Sequence, residues 1–178
     1  MNIALRNIIK RATLATVALL LSFGIAGAQI DLRISKSKIK SSLKRLDQLE
    51  LLAAQLNTAS GSTRAAADQL CQIAKQCKEL SESISHYINQ VSVLSTLQAS
   101  SEKVLQRTLL LTKLDSLSKE LASHKESISS IGSSIMSLGA SSKALKSIGA
   151  KILKIAEKEY LYQAMAVGNM ISALGAMK

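Results

Sequence analysis

Two cysteines and His124, one of the two histidines, are the residues whose positions could bring metal-binding or covalent chemistry together. Cys71 and Cys77 lie six residues apart in the segment CQIAKQC. Six residues of helix give about 9 Å of rise and 120° of rotation, beyond the Cα separation of about 7 Å that a disulfide tolerates. We interpret Cys77 as a small core residue and Cys71 as flanking the core, with an intermolecular disulfide through Cys71 as the alternative.

His124 interrupts an otherwise apolar helical stripe. If the chain reverses near residue 100, residues whose numbers sum to about 200 face each other, which places Cys77 opposite His124. Two candidate metal ligands at one level do not complete a structural zinc site, which needs four. We therefore predict no metal and interpret His124 as a buried, neutral histidine that is hydrogen-bonded to a serine or fixes the register.

Enzymatic chemistry finds no support in the sequence. The two histidines and the many serines come without clustered carboxylates, so no acid, base and nucleophile set is recognisable. Glycine-rich phosphate loops are absent as well. Neither an enzyme nor a bound cofactor is expected.

The N-terminus has the order of a secretory signal peptide. Arg6, Lys10 and Arg11 precede an uncharged apolar run at residues 12–25, which ends in Ala26-Gly27-Ala28. The run is shorter than the roughly 20 residues of a relaxed membrane span, so we expect cleavage before Gln29. The alternative is an uncleaved N-terminal anchor. Residues 1–28 are thus predicted to be a signal peptide, and the product to be periplasmic or secreted.

The remaining 150 residues have the composition of a single all-α domain. They contain no proline, and their only aromatic residues are Tyr87, Tyr160 and Tyr162. Helix breakers and aromatic strand formers are therefore missing. With 20 basic and 12 acidic residues, the segment carries a net charge of +8, which favours anionic partners only weakly.

Hydrophobic periodicity indicates four helical blocks, at residues 31–57, 63–98, 102–139 and 142–176. In the second and third blocks, apolar residues alternate spacings of three and four, as in a heptad repeat. The two stripes are Ala66, Leu70, Ile73, Cys77, Leu80, Ile84, Tyr87, Val91 and Leu94, then Leu110, Leu114, Leu117, Leu121, His124, Ile128, Ile131, Ile135 and Leu138. The two stripes are out of phase, which predicts a reversal near residues 98–102.

The first and fourth blocks have looser apolar faces. These are Ile39, Leu43, Leu46, Leu49, Ala53 and Leu56, and then Leu145, Ile148, Ile152 and Ile155, drifting to Tyr160, Ala164, Val167, Ile171 and Leu174. Short connections force consecutive helices to be antiparallel. We predict an elongated antiparallel bundle of four long helices with coiled-coil-like packing, or three helices if the second and third blocks fuse.

Two features could mediate interactions. Basic residues crowd residues 33–45 and 143–158, and we interpret them as solvated faces, with attraction to an anionic membrane surface as the alternative. Nucleic acid is not expected, because single-strand binding uses aromatic platforms. Residues 160–177 carry no charge, and Ala164, Gly168, Ser172 and Ala176 recur every fourth residue, a spacing that lets helices approach closely. Burial in the bundle or at a homo-oligomer interface is expected there.

These patterns predict a non-enzymatic exported helical protein that acts through contacts with a protein partner or a second copy, for instance as a component or adaptor of an envelope or secretion assembly. One alternative is a membrane-acting protein that inserts residues 160–177. Another is a carrier of a small ligand or metal around Cys77 and His124.

Overall fold

The computed structural model of the chain describes residues 31–58, 63–139 and 142–177. In these ranges the chain forms four α-helices and no strand. They are α1 (31–58), α2 (Arg64–Thr96), α3 (Ser101–Leu138) and α4 (Lys143–Ala176). The predicted all-α class and the four helices are confirmed. The predicted signal peptide and its cleavage before Gln29 lie outside the described residues.

The reversal between α2 and α3 is built from local hydrogen bonds rather than from glycine or proline. The Ser100 hydroxyl accepts a hydrogen bond from the Lys103 backbone N–H at 3.1 Å, which caps the start of α3. The Lys103 ammonium also donates to the Leu97 carbonyl at 2.8 Å, satisfying an acceptor near the end of α2. Because this reversal separates α2 from α3, the three-helix alternative is wrong.

The end of α3 and the start of α4 use the cap residues that the sequence offers. Gly139 is the C-cap of α3, and its N–H donates to the Ile135 carbonyl at 3.0 Å. Ser142 is the N-cap of α4, and its hydroxyl accepts from the Leu145 N–H at 3.4 Å. These caps define where the two long helices begin and end.

Contacts between the helices establish an antiparallel order. The Lys78 ammonium of α2 bridges Asp47 and Glu50 of α1, at 2.7 Å and 2.8 Å. The Lys113 ammonium of α3 lies 5.9 Å from the centre of the Tyr87 ring of α2. The numbers of residues that face each other across α2 and α3 therefore sum to about 200 at this point. The start of α1, the end of α2, the start of α3 and the end of α4 therefore share one end of the bundle. We call the hairpin of residues 93–109 at this end the tip.

Two apolar clusters fill the bundle. The cluster nearer the tip contains Leu32, Ile39, Leu80, Ile84, Ile88, Val91, Leu94, Leu110, Leu114, Leu117, Leu121, Ala166, Val167, Met170, Ala173 and Leu174. The distal cluster contains Leu46, Leu49, Leu52, Ala53, Leu56, Ala67, Leu70, Ala74, Cys77, Ile128, Ile131, Ile135, Ile152, Ile155 and Ala156. Burial of these side chains supplies the main driving force for folding.

The predicted core face of α2 is partly wrong. Ala66, Ile73 and Tyr87 belong to the predicted stripe but are only half-buried, whereas Ala67, Ala74, Ser81 and Ile88 are buried. The shared positions Leu70, Cys77, Leu80, Ile84, Val91 and Leu94 are buried as predicted. The buried face is shifted toward Ala67, Ala74 and Ser81, and the Ser81 hydroxyl accepts a hydrogen bond from Gln163 of α4.

Helices α3 and α4 cross closely at two glycines. A Cβ built on Gly149 would lie 2.8 Å from the Gly132 carbonyl oxygen and would collide with the Met136 side chain. A Cβ on Gly132 would lie 3.0 Å from the Leu153 side chain. The absence of side chains at both positions therefore sets the distance between the two helices.

Candidate functional site

A polar layer separates the two apolar clusters. Its buried members are Ser42 of α1, Ser81 of α2, and Glu159 and Gln163 of α4. Arg45 of α1 reaches the same layer from the rim of the bundle and forms an ion pair with Glu159. Buried polar groups cost free energy unless they are paired, so the paired members of the layer restrict how the helices can align. The Ser42 hydroxyl makes no hydrogen bond to a described residue.

The Arg45 and Glu159 pair joins α1 to α4. The Glu159 side chain is 3% exposed and that of Arg45 is 24% exposed, so the carboxylate is the deeper partner. The Arg45 guanidinium also lies 4.7 Å from the centre of the Tyr162 ring. Burial raises the pKa of Glu159, and the neighbouring Arg45 opposes that rise.

Side-chain hydrogen bonds extend the alignment to the other helices. The Gln163 amide donates to the Ser81 hydroxyl at 2.8 Å, which links α4 to α2 inside the core. Nearer the tip, the Asn169 amide donates to Ser35 of α1 at 2.9 Å. The layer fixes the register of α1, α2 and α4, because sliding one helix by a turn would leave buried donors and acceptors unpaired.

The polar layer was not recognised from the sequence, although a signal was present. Buried residues of α4 recur at alternating spacings of three and four, and both Glu159 and Gln163 belong to that series. The series runs Gly149, Ile152, Ala156, Glu159, Gln163, Ala166, Met170 and Ala173. Following large apolar residues alone leads instead from Ile155 to Tyr160. Counting small residues as core positions would have placed the two polar residues inside.

His124 does not occupy the buried position predicted for it. It is half-buried and lines an open groove between α2 and α3 together with Gln76, Glu79, Glu120 and Lys113. Its Nδ1 atom makes no hydrogen bond to any described residue, so the predicted serine partner is absent. Burial lowers the pKa of His124 and Glu120 opposes that change, which favours the neutral ring at pH 7.

The candidate metal ligands do not form a site in the described residues. No group of three or more His, Cys, Asp or Glu side chains there is arranged to hold a metal ion. Cys77 lies in the distal cluster, and burial, aided by Glu159, raises the pKa of its thiol to about 12. A thiol with that pKa is a poor metal ligand and nucleophile at neutral pH.

The two cysteines differ in environment, and this predicts a difference in reactivity. Cys71 is half-buried and Cys77 is buried, and both are free thiols. Raising the pKa from 9.0 to about 12 lowers the thiolate fraction of Cys77 about 1000-fold. We expect one thiol of the native chain to react promptly with Ellman's reagent and the second only after unfolding in guanidinium. Equal rates for both thiols in the native chain would contradict this placement.

The predicted stripe of small residues on α4 faces away from the core. Gly168, Ser172 and Ala176 are exposed and Ala164 is half-buried. Burial of this stripe within the bundle, one of the two expectations, is therefore wrong. The residues that α4 does bury over the same stretch are Gln163, Ala166, Val167, Met170, Ala173 and Leu174.

Large apolar side chains share this exposed side of α4. Leu161, Met165 and Ile171 are all more than 40% exposed. A Cβ built on Gly168 or on Gly175 would meet nothing within 4 Å. We call the surface formed by Leu161, Ala164, Met165, Gly168, Ile171, Ser172 and Gly175 the α4 outer face.

Comparisons of the sequence with protein-family models, with curated proteins and with solved structures find no match. Within the ranges that the structure describes, no helix is long and apolar enough to cross a membrane.

Proposed function

We propose that this chain is a non-enzymatic, exported helical protein that acts through protein contacts, and that its primary contact is the pairing of the α4 outer face with the same face of a second copy. The observation that carries the proposal is the exposure of Leu161, Met165 and Ile171 around the open surface of Gly168. Contiguous apolar surface with small residues at its centre is typical of an interaction site. The coiled-coil-like bundle would serve as its scaffold.

The spacing of residues on the α4 outer face supports a two-fold symmetric pair. In an antiparallel arrangement centred on Gly168, the numbers of facing residues sum to 336. Gly168 would meet Gly168, with Leu161 opposite Gly175, Ala164 opposite Ser172 and Met165 opposite Ile171, so apolar or small side chains meet along the whole contact. A surface that is its own complement is what an isologous dimer requires.

Charge also permits this pairing. Residues 160–177 contain no charged side chain, so two copies would meet without repulsion between like charges. The two central glycines would let the helix backbones come close, which increases the packing contacts available to the flanking side chains. A dimer of this kind could act as a component or adaptor of an envelope or secretion assembly.

A disulfide at the centre of the interface tests the proposal. In a Cys71→Ser background, which leaves only the buried Cys77, Gly168→Cys would bring the thiols of two copies together at the two-fold axis. We expect mild oxidation to convert most of this variant to a disulfide-linked dimer, visible on a non-reducing gel. Ser118→Cys, at an exposed position of α3, is the matched control. It should run largely as the monomer on the same non-reducing gel. Equal cross-linking at positions 168 and 118 would contradict the assignment.

A further inference from the structure

The first turns of α3 have an inverted distribution of polar and apolar side chains. The inward positions that continue the stripe of Leu110 and Leu114 are held by Lys103 and Arg107, which are half-buried. The outward positions carry Val104, Leu105 and Leu109, each more than half exposed. A surface helix normally places its apolar residues toward the core. The inversion at the tip indicates that these apolar side chains have another contact.

The end of α2 adds to the same surface. Val93 and Leu97 are exposed there, and Val93 borders a shallow groove between α2 and α3 that Leu109 also borders. Antiparallel register places residues 93–97 beside residues 103–107, so the exposed apolar side chains of both helices lie at one end of the rod. We call the set of Val93, Leu97, Val104, Leu105 and Leu109 the tip patch.

Basic residues outnumber acidic residues in this part of the bundle. The three segments at this end, residues 31–40, 86–113 and 166–177, hold seven Lys or Arg and two acids, a net charge of +5. The basic residues are Arg33, Lys36, Lys38, Lys40, Lys103, Arg107 and Lys113. Exposed apolar side chains at a positively charged end of the bundle match the interface of an anionic bilayer, which is apolar below and negatively charged at its surface.

We propose that the tip docks on an anionic lipid bilayer, with the tip patch inserted among the headgroups and the exposed basic residues near the start of α1 drawn toward the lipid phosphates. Charge favours lipid over a second copy as the occupant, because two tips that each carry +5 would repel one another.

Chain continuity places the tip next to the most apolar part of the sequence. Helix α1 begins at residue 31 at the tip end, and the uncharged apolar run of residues 12–25 precedes it by only five residues. A signal peptide or anchor at residues 12–25, as the sequence predicts, would hold this end of the bundle near the bilayer. The proposal concerns a different surface from the α4 outer face and does not depend on it.

Fluorescence can test which end of the rod meets lipid, because the chain contains no tryptophan. Leu105→Trp would place a single indole in the tip patch. Leu51→Trp would place it at an exposed position near the other end of the bundle and serves as the control. Both are made in the chain from Gln29, which contains the whole described bundle, and carry Gly168→Glu to keep the protein monomeric. Vesicles of phosphatidylglycerol with phosphatidylcholine should shift the emission of the Leu105→Trp protein to the blue and leave that of the Leu51→Trp protein unchanged.

Co-sedimentation with the same vesicles measures the affinity. Replacing Val104, Leu105 and Leu109 with serine should weaken binding by more than about 100-fold, since each loses its apolar contact with lipid. Arg33→Gln with Lys36→Gln, both at exposed positions near the start of α1, should weaken it by roughly 25-fold, at about fivefold per charge. Leu51→Ser should have no effect.

Three outcomes would overturn the proposal. These are background sedimentation of the parent protein, equal binding to vesicles of phosphatidylcholine alone, and equal blue shifts for the probes at positions 105 and 51. A dimer of the Gly168→Glu protein that the triple serine replacement abolishes would assign the tip patch to a second copy instead. Because the assay uses the Gly168→Glu protein, its failure would leave the proposed α4 pairing untouched.

Discussion

Replacing Arg45 with methionine should cost the folded bundle about 3 kcal/mol at pH 7, because it leaves the Glu159 carboxylate buried without its cation. The methionine keeps most of the aliphatic stem of the arginine, so the lost stability arises from removal of the positive charge rather than from loss of contact area. Urea titration followed by circular dichroism at 222 nm would measure the change in the free energy of unfolding.

The free energy of unfolding of Arg45→Met should depend on pH in a defined direction. Burial already raises the pKa of Glu159 in the folded state, and removing Arg45 removes the opposing influence and raises it further. A carboxyl group whose pKa is higher folded than unfolded binds its proton more tightly in the folded state. The contribution of Glu159 to stability is therefore greatest below pH 4.5, the ordinary pKa of the group, and is lost as the pH rises through the pKa in the folded state. The deficit of Arg45→Met should shrink at pH 4.

A second substitution supplies the control. Glu159→Gln in the Arg45→Met background removes the buried charge and should recover much of the lost stability at pH 7. It should also flatten the pH dependence that Arg45→Met introduces. If Arg45→Met unfolds at the same urea concentration as the wild type at pH 7, the ion pair does not align α1 with α4.

Two identical substitutions in α4 should have opposite effects. Gly149→Ala should destabilise the bundle by about 2 kcal/mol, because the new methyl group would lie 2.8 Å from the Gly132 carbonyl oxygen and force α3 and α4 apart. Gly168→Ala should stabilise it by up to about 1 kcal/mol, since the methyl group meets nothing and alanine favours the helix. Thermal unfolding at low protein concentration, where the chain is monomeric, would measure both.

The comparison isolates packing from helix propensity. Both glycines lie inside the same helix, so the intrinsic gain on replacing glycine with alanine is similar at the two positions. Any difference in stability between the two variants therefore arises from the contacts that each new methyl group makes. Equal stabilisation by both would mean that α3 and α4 do not approach each other closely at Gly149.

The apolar repeat of α3 shows what the sequence could predict and why. Leu110, Leu114, Leu117, Leu121, Ile128, Ile131 and Ile135 were all expected in the core and are all buried. They are large, and they recur at the helical period, so periodicity alone identifies their face. Leu138, at the end of the same stripe, is exposed because α3 ends there and no neighbouring helix covers it.

The polar layer and the close glycine crossing escaped prediction for a shared reason. Glu159 and Gln163 are buried because Arg45 and Ser81, which are distant in sequence, supply their partners. Gly149 is buried because Gly132 on another helix allows the approach. Neither fact is local to α4, so a search for apolar periodicity along one helix could not find it. The α4 outer face was recognised as a pattern, but only the packed bundle distinguishes its exposed side from its buried side.

The central claim is that the α4 outer face pairs two copies of the chain, and light scattering on the protein from Gln29 tests it most directly. Multi-angle light scattering after size exclusion should give twice the monomer mass for the wild type and for Ser118→Glu. Gly168→Glu should give the monomer mass, because it places two like charges together at the two-fold axis. A monomeric wild type at micromolar concentration, or a dimer that Gly168→Glu leaves intact, would contradict the pairing.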